Sequence, residues 1–178
     1  GKAFSWDNSE NSSCSDCFEF GHEVGFYFGA NAAAINCTGC VSDNAYTESN
    51  TSKNIWFDAG SHSCAIIGGW FDTKAYNIYV SEPNSLPSSR VVGAGLSPGS
   101  MYTSSINVLQ GNFHLTGSSL TPVGYTAEVA RRGSVYIADA PGNVLIVGND
   151  LGLAKIVAQS PAAAARLIQS GNVTGGGP

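Results

Sequence analysis

The sequence predicts a mainly β single domain, of sandwich or jelly-roll type, with a short C-terminal helix. Three observations point there. Apolar and aromatic residues recur at period two in Phe18-Glu-Phe-Gly-His-Glu-Val-Gly-Phe-Tyr-Phe28 and again over Trp70–Val80, the pattern of half-buried strands. Stretches rich in Ser, Asn, Gly and Pro, such as 42–53 and 81–89, separate such runs as loops do. A helix signature stands clearly only near the C-terminus.

In chain order, residues 1–17 read as a polar, irregular N-terminal arm. A β-rich domain follows over 18–171, and 172–178 form a Gly-rich tail. Gly21, Gly25 and Gly29 within the first aromatic run mark bulges or close backbone approach. Ala32–Cys37 fits either a strand or a helical turn. Asn54–Asp58 and Cys64–Ile67 fit short strands, and Trp70–Val80 a strand or hairpin. The second half carries a weak internal repeat. Gly99-Ser-Met-Tyr102, Asn107-Val-Leu, Gly111-Asn112 and Leu115 match Gly133-Ser-Val-Tyr136, Asn143-Val-Leu, Gly148-Asn149 and Leu151. Each copy reads strand, turn, strand, and Ala140-Pro-Gly-Asn143 has the signature of a tight turn. Residues 151–158 are compatible with a further helix. Ser160 then reads as an N-cap, Pro161 as the first helical residue, Ala162–Gln169 as the body and Gly171 as the stop.

Composition bears on location and partners. Charged residues are 12% of the chain, about half the usual share. Polarity comes instead from Ser, Thr, Asn and 22 Gly. Such a surface is common in secreted or surface-assembled β proteins, which predicts an extracellular location after removal of a leader this chain does not carry. The net charge of −5 argues against nucleic acid as a partner. There is no apolar run of the length a transmembrane segment needs. Asn11, Asn36, Asn50 and Asn172 each begin an N-x-S/T triplet, but chance alone supplies about two or three, so a glycoprotein is compatible and not indicated.

Charge is also unevenly spread. Residues 1–82 hold ten acids against three lysines, whereas 83–178 hold three acids against five basic residues. Opposite ends suit head-to-tail contacts between copies in a homo-oligomer. The expected function is therefore a non-enzymatic surface protein. It is either a self-assembling structural subunit, with segments 1–13 and 172–178 as arms on the next copy, or an adhesion and recognition module for a cell-surface or glycan ligand. Trp56, Trp70, Tyr76 and Tyr79 are placed in the core by their alternation, although such rings also line sugar grooves.

Cys14-Ser-Asp-Cys17 and Cys37-Thr-Gly-Cys40 have the C-x2-C-x19-C-x2-C spacing of a four-thiolate structural zinc site. Disulfides in an oxidising compartment satisfy the same spacing. These two alternatives give either one structural zinc, and a zinc-stapled binding module, or no cofactor. Cys64 is the odd cysteine, fit for a buried apolar role.

Standard catalytic strings are absent, and His22, His62 and His114 show no metal-ligand spacing. The segment His22-Glu-Val-Gly-Phe-Tyr-Phe-Gly29 resembles the histidine strand of the NlpC-like cysteine peptidases over eight residues. That resemblance implies a Cys–His pair in a small secreted hydrolase, with Cys64 as nucleophile and His22 as base. Glu23 departs from the family's spacing.

Overall fold

The computed structural model describes residues 1–44, 51–73, 75–98, 104–120, 134–139 and 142–174. Asn50, the segments 99–103 and Gly133 of the sequence repeat, Ala140-Pro141 of the expected turn and the end of the tail lie outside them.

Strands follow one another in threes. The first three coils are β1 (Lys2–Trp6), β2 (Ser13–Ser15) and β3 (Phe18–Phe20); β4 (Val24–Phe28), β5 (Asn36–Thr38) and β6 (Val41–Asn44); β7 (Lys53–Phe57), β8 (Ala65–Ile67) and β9 (Trp70–Thr73). The next two are β10 (Tyr76–Ser81), β11 (Ser89–Val92) and β12 (Gly95–Pro98); β13 (Ile106–Gln110), β14 (Phe113–Thr116) and β15 (Ser119–Leu120). The last two are β16 (Val135–Ile137), β17 (Val144–Val147) and β18 (Asp150–Gly152); β19 (Ile156–Ala158), β20 (Leu167–Ser170) and β21 (Val173–Thr174). Every third strand joins the same sheet, so the described strands form three sheets of seven. Every ladder is parallel and joins one coil to the next: Phe4 to Phe26, Phe26 to Ile55, Ile55 to Ile78. This is a three-faced parallel β-solenoid.

The sandwich or jelly-roll expectation is thereby overturned. Those folds pair strands that reverse direction, whereas here the chain turns a corner after each strand and meets its own earlier coil in parallel. The Trp70–Val80 run is two strands of different sheets, β9 and β10, and not a hairpin. Phe18–Phe28 likewise divides between β3 and β4. Residues 1–17 are built into the first coil as β1 and β2, and Val173–Thr174 into the last as β21.

The C-terminal helix is a single turn, α1 (Pro161–Ala164), in the corner between β19 and β20. Ser160 caps it as expected, its Oγ accepting from the Ala163 N–H at 3.2 Å. The helix ends early because Leu167–Ser170 complete a ladder on β17, and Gly171 is a corner residue rather than a helix stop. Residues 151–158, considered for a helix, instead run from the end of β18 (Asp150–Gly152) into β19 (Ile156–Ala158).

The core is the inside of the coil. Phe26, Phe28, Ile55, Phe57, Ile78, Val80, Ile106 and Val108 are fully buried along the first sheet. Their columns bring like against like: Phe4 stacks on Phe26 and Trp6 on Phe28, each with centroids 5.1 Å apart, and Phe28 on Phe57 at 4.9 Å. Register is reinforced by a buried amide ladder. Asn44 Nδ2 donates to Asn54 Oδ1 (2.8 Å), Asn54 Nδ2 to Asn77 Oδ1 (2.8 Å) and Asn77 Nδ2 to Ser105 Oγ (3.1 Å).

The corner between the second and third sheets is two residues long in every coil, for example 16–17, 39–40, 68–69 and 93–94. Its first residue has positive φ throughout: Asp16, Gly39, Gly68, Gly93, Gly117, Gly148 and Gly171, between 53° and 67°. At Gly93 a Cβ would meet nothing within 4 Å, so the backbone alone demands glycine there. Gly93→Ala is expected to cost about 1–2 kcal/mol, and Gly93→Asn less, read as the fall in thermal midpoint.

Candidate functional site

The solenoid gives the four paired cysteines a common location. Cys14 on β2 pairs in register with Cys37 on β5, both inside the coil. Cys17 and Cys40 end the two-residue corners of the same two coils. Stacking one C-x2-C on the other therefore gathers the thiols. The Cys14 and Cys40 sulfurs are 3.7 Å apart, and the ligand atoms of Cys14, Cys17 and Cys40 all lie within 4.8 Å of one another, a cluster that could hold a metal ion. Cys37, in register with Cys14, stands outside that tighter set. Burial, followed by the neighbouring thiols, pushes Cys14 well above the usual thiol range. Burial also raises Cys37, to about 12, and Cys40, in each case against a lowering effect of the neighbouring Cys14. Without a metal these groups keep their protons.

Cys64 and His22 are not brought together. Cys64 precedes β8, fully buried, with its sulfur on the carbonyls of His62 (3.3 Å) and Ala32 (3.6 Å). Burial pushes its thiol up to about 11, the opposite of what a nucleophile needs. His22 lies in the corner between β3 and β4, where its Nδ1 is 3.1 Å from the buried Glu19 carboxylate. None of the interactions described for either side chain involves the other.

Alternation assigned Trp56, Trp70, Tyr76 and Tyr79 to the core, whereas the structure has two outward aromatic faces, with Trp56 and Tyr79 on one and Trp70 on the other. On the first sheet Tyr27, Trp56 and Tyr79 are successive outward residues, meeting edge to face at 5.1 and 6.0 Å. Tyr76 joins Tyr79 at 5.2 Å. This face satisfies itself. Tyr27 Oη donates to Asp58 Oδ2 (2.8 Å), Trp56 Nε1 donates to Ser81 Oγ (3.1 Å), and Lys53 Nζ lies 4.6 Å from the Trp56 ring centre.

The third sheet differs. Phe18, Val41, Trp70 and Gly95 follow one another in one outward column. Phe18 is 63% exposed, Phe20 53% and Trp70 47%. Gly95 makes room for Trp70, because a Cβ there would stand 2.3 Å from the indole Cε3. Among the described residues the Trp70 indole N–H donates no hydrogen bond. Asp43 and Asp72 are neighbours in the next outward column. Burial, then Asp43, raises the Asp72 carboxyl above its ordinary value.

No family model, curated protein or solved structure matches this chain. Function therefore rests on these two clusters alone. The thiol cluster was legible from its spacing. The third-sheet face was not, because its column draws one residue from each coil.

Proposed function

We propose that this chain is a non-enzymatic, surface-exposed recognition module, a β-solenoid whose first two coils are stapled by one zinc ion. The observation that supports it best is a juxtaposition. Cys17 immediately precedes Phe18 and Cys40 immediately precedes Val41, so a metal on the thiols braces the strands that carry the exposed aromatic face. Zinc suits the geometry. A tetrahedron with bonds of about 2.3 Å separates its sulfurs by about 3.8 Å, close to the 3.7 Å between Cys14 and Cys40. Cys37, in register with Cys14 and outside the tighter set, would complete the four thiolates. The recognition reading is preferred to the structural subunit because residues 1–13 and 173–174, needed as arms, contribute strands to the end coils.

Zinc binding must displace protons from thiols held above their ordinary range, so apparent affinity climbs with pH. Native mass spectrometry should find one zinc per chain, and a chelator should release it and expose four thiols to alkylation in the folded protein. Cys40→Ser should abolish stoichiometric binding. A metal-free protein two mass units light, with Cys14 and Cys40 resistant to alkylation until reduced, would replace zinc with a disulfide. Recognition is tested separately: labelled wild type should decorate intact cells, and Trp70→Ala should not. Equal decoration by both proteins would defeat it.

A further inference from the structure

We propose that the outer face of the third sheet over the first four coils binds a neutral glycan chain lying along the solenoid axis, with Phe18 and Trp70 as stacking platforms and Asp72 as a hydroxyl acceptor. This deepens the recognition reading and rests on it. Four observations choose a sugar as the occupant.

The two platforms are in register and two coils apart, since Phe18 pairs with Val41 and Val41 with Trp70. Adjacent parallel strands are spaced by about 4.8 Å, so the rings sit about 10 Å apart along the axis. That is about the repeat of two linked pyranoses, and a chain with that repeat meets both rings in one register. Trp70 leans across Gly95 toward the fourth coil and remains nearly half exposed, which offers a broad apolar surface to the C–H face of a sugar ring. Its indole N–H, without an acceptor among the described residues, and the Asp72 carboxylate, one column away, supply a donor and an acceptor of the kind that fix hydroxyl groups.

Charge excludes the main competitors. No Lys or Arg stands in any of the described strands of this sheet, while Asp43, Asp72 and Asp150 point outward from it. An anionic polysaccharide, a nucleic acid or a phosphate-bearing ligand is repelled there by the Asp72 and Asp150 carboxylates. An apolar protein partner, or a second copy of this chain, would bury the Asp72 carboxylate, and no described strand of this sheet offers it a Lys or Arg.

The test uses the full chain and soluble hexasaccharides of neutral hexoses and pentoses, with oligogalacturonate as the anionic control. Binding is read by calorimetry and by tryptophan fluorescence. We expect saturable binding of at least one neutral hexasaccharide and none of oligogalacturonate. The disaccharide should bind about tenfold more weakly, because it engages one platform, and Trp70→Ala and Phe18→Ala should each cost about tenfold. Gly95→Ala should weaken binding by displacing the Trp70 ring, although the tryptophan is still present. Circular dichroism of each variant separates loss of binding from loss of fold. If no neutral oligosaccharide binds or competes, yet cell decoration still needs Trp70, the glycan is refuted and the recognition module stands. If light scattering shows a dimer that Trp70→Ala dissociates, a second copy covers the face and the proposal fails. If decoration ignores Trp70, the recognition reading itself falls.

Discussion

Phe57→Ala lowers the unfolding free energy by about 3–5 kcal/mol, the largest effect expected of a single truncation in this protein. Phe57 is fully buried at the centre of an interior column. It stacks on Phe28 at 4.9 Å and meets Phe113 of the second sheet at 6.3 Å. Removing the ring leaves a cavity that the stacked coils cannot close, because each is held to its neighbours by ladders on all three faces. Urea titration checks it: the midpoint should fall while the slope stays unchanged. A broadened transition would mean the coils melt in sequence rather than together, as solenoids do when coupling between coils weakens. A loss under about 1 kcal/mol would show that the aromatic column is not the core that its burial implies.

Stability falls by about 3 kcal/mol between pH 4.5 and 7 through Glu82 alone. Glu82 is 1% exposed at the end of β10, and its Oε1 accepts from Ser61 Oγ (2.9 Å) and from Ser89 Oγ. Its Oε2 has no partner among the described residues. Burial pushes its pKa from 4.5 to about 7, against the lowering effect of the two serines. The folded state therefore binds the proton more tightly than the unfolded chain. The contribution is fully present below 4.5, is lost as pH rises through about 7, and is flat beyond. His114 opposes it. Burial and Arg90 hold its pKa below 6.5, so its contribution is present above 6.5 and lost toward acid. Comparing wild type with Glu82→Gln isolates the glutamate. The variant should match wild type near pH 4.5 and exceed its stability at pH 7.5. Parallel pH profiles would refute the assignment.

Some of this was legible in the sequence, and the physics explains which part. Strand content was visible wherever aromatics alternate, and the Ser160 cap was visible because capping is local. The thiol cluster was visible because its x19 spacing matches the 23-residue step from Cys14 to Cys37, one turn of the coil. The fold class was not visible. Strands of two to six residues are too short to show whether the chain reverses or turns a corner, so Trp70–Val80 reads equally as a hairpin. The repeat over 99–151 was sensed in the wrong register. It set Asn107 against Asn143, whereas Asn107 pairs with Tyr136. A fixed period was hidden by unequal coils: Val135 meets Ile156, 21 positions on, while Leu115 meets Ile146, 31 positions on. The signal that could have found the solenoid is the positive-φ residue that opens the corner between the second and third sheets in each coil, glycine in six of the seven.

That corner has a consequence for how such a chain can change its length. From β3 to β4 the connection takes three residues and from β6 to β7 eight, while the corner at Gly93 and its equivalents is always two. Recombination between equivalent corners therefore joins like to like. Excising 69–93 brings Gly68 against Ala94 and recreates the Gly-Ala corner already present at 93–94. The shortened product keeps every remaining ladder in phase and loses about 4.8 Å of height. Unequal crossing-over could lengthen or trim the protein one storey at a time, as a ruler is cut at its graduations, whereas a cut placed anywhere else in the coil would leave two unlike strands to be spliced.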